Sequence, residues 1–142
     1  MTDMYLSVSL EAKHDFDTDA VTRRLGVEPT QIRKLGTPIR PGHDALYKYS
    51  SWEWDTGHIF ADDAGSLIAQ AAAMFQSRAA IMRELADECG GTWAIVLDGY
   101  IHSGDAPVVL LPPDFVEFCA AIGAIFQYVI DISYDYAPKG GG

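Results

Sequence analysis

Basic residues are scarce in this chain of 142 residues. Ten Lys and Arg stand against 20 Asp and Glu, so the formal net charge is -10 at pH 7. Residues 1–40 hold six acids and six bases, and the whole deficit therefore lies after position 40. A field of this sign repels phosphate backbones and anionic lipid and attracts basic partners. The sequence thus predicts no binding to nucleic acid or membranes. The acidic surface either attracts a basic partner or, in the alternative interpretation, is a solvated surface that keeps the protein soluble.

Cysteines and long apolar runs are also few. Cys89 and Cys119 are too far apart for a local metal motif, and both are predicted to be small apolar groups in the core of a reduced protein. No apolar run reaches the roughly 18 residues that span a bilayer, and the first residues do not resemble a secretory signal. We therefore expect a cytoplasmic location.

The common local signatures of catalysis are missing. The chain has no Walker-type glycine loop and no Gly-x-Ser-x-Gly elbow, and no two histidines have the i, i+4 spacing of a helical metal site. Asp15, Asp17 and Asp19 alternate as in a calcium loop, but Ala20 and Gly26 stand where that loop needs a glycine and a bidentate glutamate. We predict no catalytic residue, metal or cofactor, and the pattern favours a protein that is not an enzyme.

Hydrophobic residues make up 49% of the chain, and their spacing predicts alternating strands and helices. Tyr47 and Tyr49 alternate in one phase and Trp52 and Trp54 in the other, which indicates either a β-bulge or two adjacent short strands. The predicted elements are strands at 5–11, 30–35 and 47–55, a helix at 18–25, a helix at 63–88, strands at 92–102 and 107–111, a helix at 113–122 and a strand at 126–134.

This order, βαββαββαβ, predicts a single α+β domain over residues 1–138 with a flexible tail at 139–142. The sheet is expected to be mixed and mostly antiparallel, with helices mainly on one face. The first six elements match a ferredoxin-like βαββαβ order.

The richest local constellation is the segment SWEWDTGH, residues 51–58. Trp52 and Trp54 share one face of the predicted strand, and Glu53 and Asp55 share the other. Core packing against the long helix is one interpretation of the two indoles. The other makes Trp52, Glu53, Trp54, Asp55 and His58 a partner-binding site, in which exposed aromatic rings anchor a second protein.

A second constellation collects positive charge within an acidic protein. Arg23, Arg24, Arg33, Lys34 and Arg40 surround a turn that contains Gly26 and Pro29. One interpretation is pairing with carboxylates of the same chain, helped by the dipole at a helix C-terminus. The alternative is a basic recess that binds an anionic group.

The run FDTDAVTRRLGVEPTQIRKLGTP, followed by SSWEWDT, resembles the bacterial family called domain of unknown function 4279. The resemblance extends over about residues 5 to 134 and is most specific in the first half. Its positions here are Leu25, Gly26, Val27, Pro29, Thr30, Lys34, Gly36 and Trp52. Leu35 departs from the polar residue that is more usual in the family between Lys34 and Gly36. The resemblance implies a compact bacterial α+β domain and implies no activity.

Together these features predict a non-enzymatic protein-binding domain, an acidic immunity protein that neutralises a basic bacterial toxin. The main alternative is a small-molecule binding protein or enzyme that holds an anionic ligand in the basic recess around residues 23–40. A homodimer joined through an exposed strand edge is the third interpretation.

Overall fold

The computed structural model describes residues 2–102, 104 and 106–132. The elements follow the predicted α+β pattern as one domain, and the tail predicted at 139–142 lies outside the described residues. In chain order they are β1 (Thr2–Ala12), α1 (Thr18–Leu25), β2 (Gln31–Arg33), β3 (Ser50–Asp55), β4 (Ile59–Ala61), α2 (Gly65–Phe75), α3 (Ala79–Cys89), β5 (Thr92–Ile101), α4 (Pro113–Ala121) and β6 (Ile125–Ile132).

A single sheet runs in the order β2-β3-β1-β5-β6, and β4 pairs with the start of β1. All pairs are antiparallel except β5 with β6, which are parallel. Because β3 lies between β2 and β1 and runs opposite to both, β1-α1-β2 is a split βαβ unit. The four strands β2, β3, β1 and β5 therefore have the predicted ferredoxin-like arrangement, and β6 extends it.

The core lies between one face of this sheet and the helices. Even-numbered positions of β1, such as Leu6 and Leu10, are fully buried there, as are Trp52 of β3 and Trp93 of β5. Phe75 of α2 meets the Trp52 ring edge to face, with centroids 6.4 Å apart. The alternation of the strands thus sends every second side chain into the core and leaves the others on the opposite face.

Local signals set the ends of α1. The Asp17 carboxylate accepts a hydrogen bond of 3.1 Å from the Ala20 amide, which makes Asp17 the N-cap. Gly26 ends the helix at φ 70°, a left-handed conformation that glycine adopts without strain.

The helix predicted at 63–88 is interrupted. A turn of 3₁₀ helix at Gln76–Arg78 separates α2 from α3. Arg78 fills the break: its Nε donates to the carbonyl of Leu25 at 2.7 Å, and its Nη1 donates to the carbonyl of Met74. Apolar residues recur at spacings of three and four on both sides of this break, as in one continuous helix, so the sequence pattern did not reveal it.

One predicted strand is absent, and one strand of the structure was not predicted. Residues 107–111 make a single bridge, from Val108 to Asp63, and form no strand. The sixth strand is instead β4, which was not predicted. Tyr47 and Tyr49 precede β3, so the change of phase marks a separate segment rather than a bulge within the strand.

Candidate functional site

The face of the sheet opposite the helices is called here the open face. None of its side chains belongs to the hydrophobic core, to which all four helices contribute. The centre of the face is made of small residues, including Ser7 and Ser9, which are shielded by their neighbours. The register assigns these residues to it: Asp3, Tyr5, Ser7, Ser9, Glu11, Gln31, Arg33, Ser51, Glu53, Asp55, Phe60, Thr92, Ala94, Val96, Asp98, Tyr100, Ile125, Gln127, Val129 and Asp131.

Carboxylates dominate the charge of the open face. They are Asp3, Glu11, Glu53, Asp55, Asp98 and Asp131. Arg33 is the only Lys or Arg among the described residues of this face. A partner that approaches the sheet from this side therefore meets a concentrated negative field.

Arg33 neutralises one of these carboxylates. Its Nη1 lies 3.0 Å from Glu53 Oε1 and 3.3 Å from the Ser51 hydroxyl, while its Nη2 donates to Gln31 at 2.8 Å. Burial opposes the charge of Arg33, but the hydrogen bond and the charge of Glu53 outweigh it and raise the pKa of the guanidinium. Glu53 is thus on the open face as the sequence predicted, but it is already paired.

The other end of the open face holds a recess of about 210 Å³. Asp98 lies in it and accepts a hydrogen bond from the Tyr5 hydroxyl, while His58 Nδ1 lies 2.9 Å from Asp3 Oδ1. Burial raises the pKa of Asp98, the Tyr5 hydrogen bond opposes this shift, and the charge of Asp131 adds to it. Burial, followed by the Asp98 charge, also raises the pKa of Tyr5.

This recess is rimmed by rings as well as carboxylates. The Tyr5 and His58 rings in its lining lie 4.6 Å apart, and Tyr100, also in the lining, is 42% exposed. Phe60, opposite Asp3 in the strand register, is 57% exposed. Carboxylates beside aromatic faces suit a cationic side chain, through ion pairing and cation–π contact. The sequence did not point to Asp98 or Tyr5, because only the pairing of β1 with β5 places them together.

Trp52 and Trp54 do not belong to this surface. They are 0% and 7% exposed, and the core interpretation of the two indoles is the one that the structure supports. Trp52 Nε1 donates to the Thr22 hydroxyl at 3.0 Å, and the Trp54 ring packs on Phe75. The partner-binding interpretation of the two rings was therefore wrong, because alternation turns them away from Glu53 and Asp55.

The five basic residues of the predicted recess do not converge. Arg24 bonds Glu84 and Glu88 of α3, Arg33 bonds Glu53 on the open face, and Lys34 lies 3.9 Å from Asp15. Arg23 and Arg40 have no ion-pair partner among the described residues. Pairing within the chain thus accounts for Arg24, Arg33 and Lys34, and no basic recess forms around them.

The chain between β2 and β3 forms a hairpin, residues 34–49, called here the arm. Backbone hydrogen bonds join Gly36 to Tyr47, Tyr47 to Thr37, and Ile39 to Ala45, each at 2.9 Å. At its tip the His43 amide donates to the Arg40 carbonyl at 3.0 Å, with Gly42 at φ 75°. Pro41 and Gly42 are the residues that a type II turn requires at its two central positions. The prolines and glycines of this segment, which are typical of a loop, here belong to a hairpin.

Other classes of site find little support in the described residues. Within 2–102, 104 and 106–132, no group of three or more His, Cys, Asp or Glu side chains is arranged to hold a metal ion. Cys89 and Cys119 are unpaired and partly buried, and burial raises the pKa of both thiols. No helix in this part of the chain has the length and apolarity needed to cross a membrane.

Comparison with known proteins identifies a family. A family model described as a domain of unknown function (DUF4279) matches residues 2–133, nearly the whole chain. Neither the curated proteins nor the solved structures yield a significant match. The match confirms the family resemblance predicted from the sequence, and its description carries no activity.

Proposed function

This chain belongs to the DUF4279 family, whose description assigns no activity, and from its surface we propose a non-enzymatic, cytoplasmic protein-binding domain. Its role is that of an immunity protein, which blocks a basic bacterial toxin by covering the toxin's positive surface. The fold alone does not carry this proposal, because one fold hosts many functions. What carries it is the helix-free face of the sheet with its carboxylates.

The chemistry of the open face supports a basic protein as the partner. Toxins that act on nucleic acids need positive surfaces to hold phosphates, and an acidic face competes for the same surface. Complementary charge also steers encounter, which favours rapid neutralisation. Tyr100 and Phe60 supply the exposed rings that interfaces use as anchors, in place of the buried Trp52 and Trp54.

Isosteric neutralisation of the open face tests this proposal. The face variant is Glu11→Gln/Asp98→Asn/Asp131→Asn, and the control is Asp19→Asn/Glu28→Gln/Glu117→Gln, which removes the same charge outside the open face. Each protein is tagged and used for capture from a native lysate, followed by mass spectrometry. We expect the unchanged chain and the control to retain a basic protein that the face variant binds at least about tenfold more weakly.

The captured protein must then behave as a toxin. Expressed alone it should arrest growth, and co-expression with this chain, but not with the face variant, should restore growth. Equal capture by the face variant, or a captured protein that is harmless on its own, would contradict the proposal.

A further inference from the structure

The arm carries the opposite charge to the rest of the protein. Residues 34–49 contain Lys34, Arg40 and Lys48 against Asp44, a net charge of +2, so the remaining residues sum to -12. Arg40 and Lys48 are exposed, and neither has an ion-pair partner among the described residues. Two exposed cations of this acidic protein thus lie on one hairpin without an ion-pair partner in the described part of the chain.

The arm also exposes apolar side chains that no other part of the described chain covers. Ile39 and Leu46 are 46% and 47% exposed, and they line one concave surface with Leu35, Tyr47 and Tyr49. A two-stranded hairpin on its own is at best marginally stable in water. An exposed apolar patch on such a hairpin is typical of an element that packs against another surface.

The arm borders the open face. It continues the β2–β3 pair beyond Arg33 and Ser50. Tyr49 lies close enough to Arg33, Glu11 and Glu53 for their charges to act, after burial, on the pKa of its hydroxyl. The basic arm and the acidic face are therefore neighbours on one molecule. An arrangement in which the arm of each copy lies on the open face of the other is isologous and closes on itself.

We propose that two copies of this chain form a dimer by exchanging arms, with the basic, apolar arm of each docked on the acidic open face of its partner. Charge complementarity selects a second copy as the occupant, because the chain itself supplies both surfaces. The dimer shares the open face with the proposed function but needs no other protein. Binding of a basic partner to that face would displace the arm and release monomers.

A charge-swap experiment on the purified full chain tests the exchange. The arm variant is Arg40→Glu/Lys48→Glu, the face variant is Glu11→Lys/Asp55→Lys, and Asp19→Lys/Glu117→Lys is a control with the same charge change as the face variant. Sedimentation velocity over a range of concentrations measures association, and circular dichroism confirms that each variant is folded. Ionic strength is held constant because salt screens both the attraction between arm and face and the repulsion between two acidic chains.

We expect the unchanged chain and the control to reach about twice the monomer mass of 15.5 kDa. Each charge variant alone should associate at least about tenfold more weakly, because the arm and the half of the open face that holds Glu11, Arg33, Glu53 and Asp55 then carry the same sign. An equimolar mixture of the arm and face variants should recover the dimer, since each interface again pairs opposite charges. A monomer at every concentration, or a dimer that neither variant weakens, would overturn the proposal. Neither result bears on binding to a toxin.

Discussion

Asp98 shows at the scale of one residue how the open face holds its charge. Its carboxylate accepts a hydrogen bond from Tyr5 and lies near Asp131, and burial is the largest cause of its raised pKa. Because this pKa lies above the unfolded value of about 3.9, the unfolded chain loses the proton first as the pH rises. Ionising Asp98 therefore costs more free energy in the folded protein than in the unfolded chain. The resulting loss of stability is absent below a pH of about 3.9 and grows as the pH rises above it.

The variant Asp98→Asn should accordingly be more stable than the unchanged chain at pH 7 and equally stable near pH 3. The amide oxygen still accepts from Tyr5, so the hydrogen bond is kept while the charge is removed. Urea unfolding from pH 3 to pH 7 measures the difference, with Glu117→Gln, at an exposed position of α4, as the control. A variant that is less stable at pH 7, or a difference that does not depend on pH, would show that burial does not dominate at this site.

At the scale of elements, the junction of α2 and α3 depends on one side chain. Arg78 donates to the carbonyls of Leu25 and Met74, which ties the break between the two helices to the end of α1. A carbonyl that loses its donor inside a folded protein is destabilising unless water replaces the donor. The interruption is therefore a built feature of the fold and not a frayed end.

Replacing Arg78 by Met keeps most of the side-chain volume and removes both donations. We expect the free energy of unfolding to fall by about 1–3 kcal/mol, as for partly buried hydrogen-bonding groups that lose a partner. Arg83→Met is the matched control, because Arg83 makes only an exposed ion pair with Asp87 at 3.6 Å, worth about 0–1 kcal/mol. If urea unfolding gives equal losses for the two variants, Arg78 does not hold the junction.

The elements also show which features the sequence could predict. The bounds of α1 were correctly predicted because its caps, Asp17 and Gly26, act through their own backbone neighbours. The strand at 107–111 was wrong and β4 was missed, because short strands exist only where another strand offers a partner. β4 has that partner in Met4 and its neighbours, whereas Val108 finds a single bridge.

The same distinction applies to the candidate site. Alternation in β3 correctly grouped Glu53 with Asp55 and opposed them to the two indoles, but it could not say which face was buried. The cluster of Asp98, Tyr5 and His58 joins three separate segments, so only the strand register reveals it.

At the scale of the whole molecule, charge and packing are divided between two sides. The helices cover one face of the sheet and leave the other face, with its carboxylates, exposed. Arg40 and Lys48, which have no ion-pair partner in the described part of the chain, lie on the arm at the border of this open face. Such a division creates a directional field, which selects the face that a basic partner approaches. We therefore propose that this protein acts through the open face rather than through a cleft between helices.

Carboxyl footprinting tests that claim most directly. The chain, diluted until it is monomeric and in complex with the captured basic protein, is labelled with a carbodiimide and an amine, and mass spectrometry quantifies the label at each carboxylate. We expect Glu11, Asp98 and Asp131 to take up less label in the complex, while Asp19 and Glu117 on the helices label as in the free chain. Protection of Asp19 and Glu117 with unchanged labelling of the open face would contradict the claim.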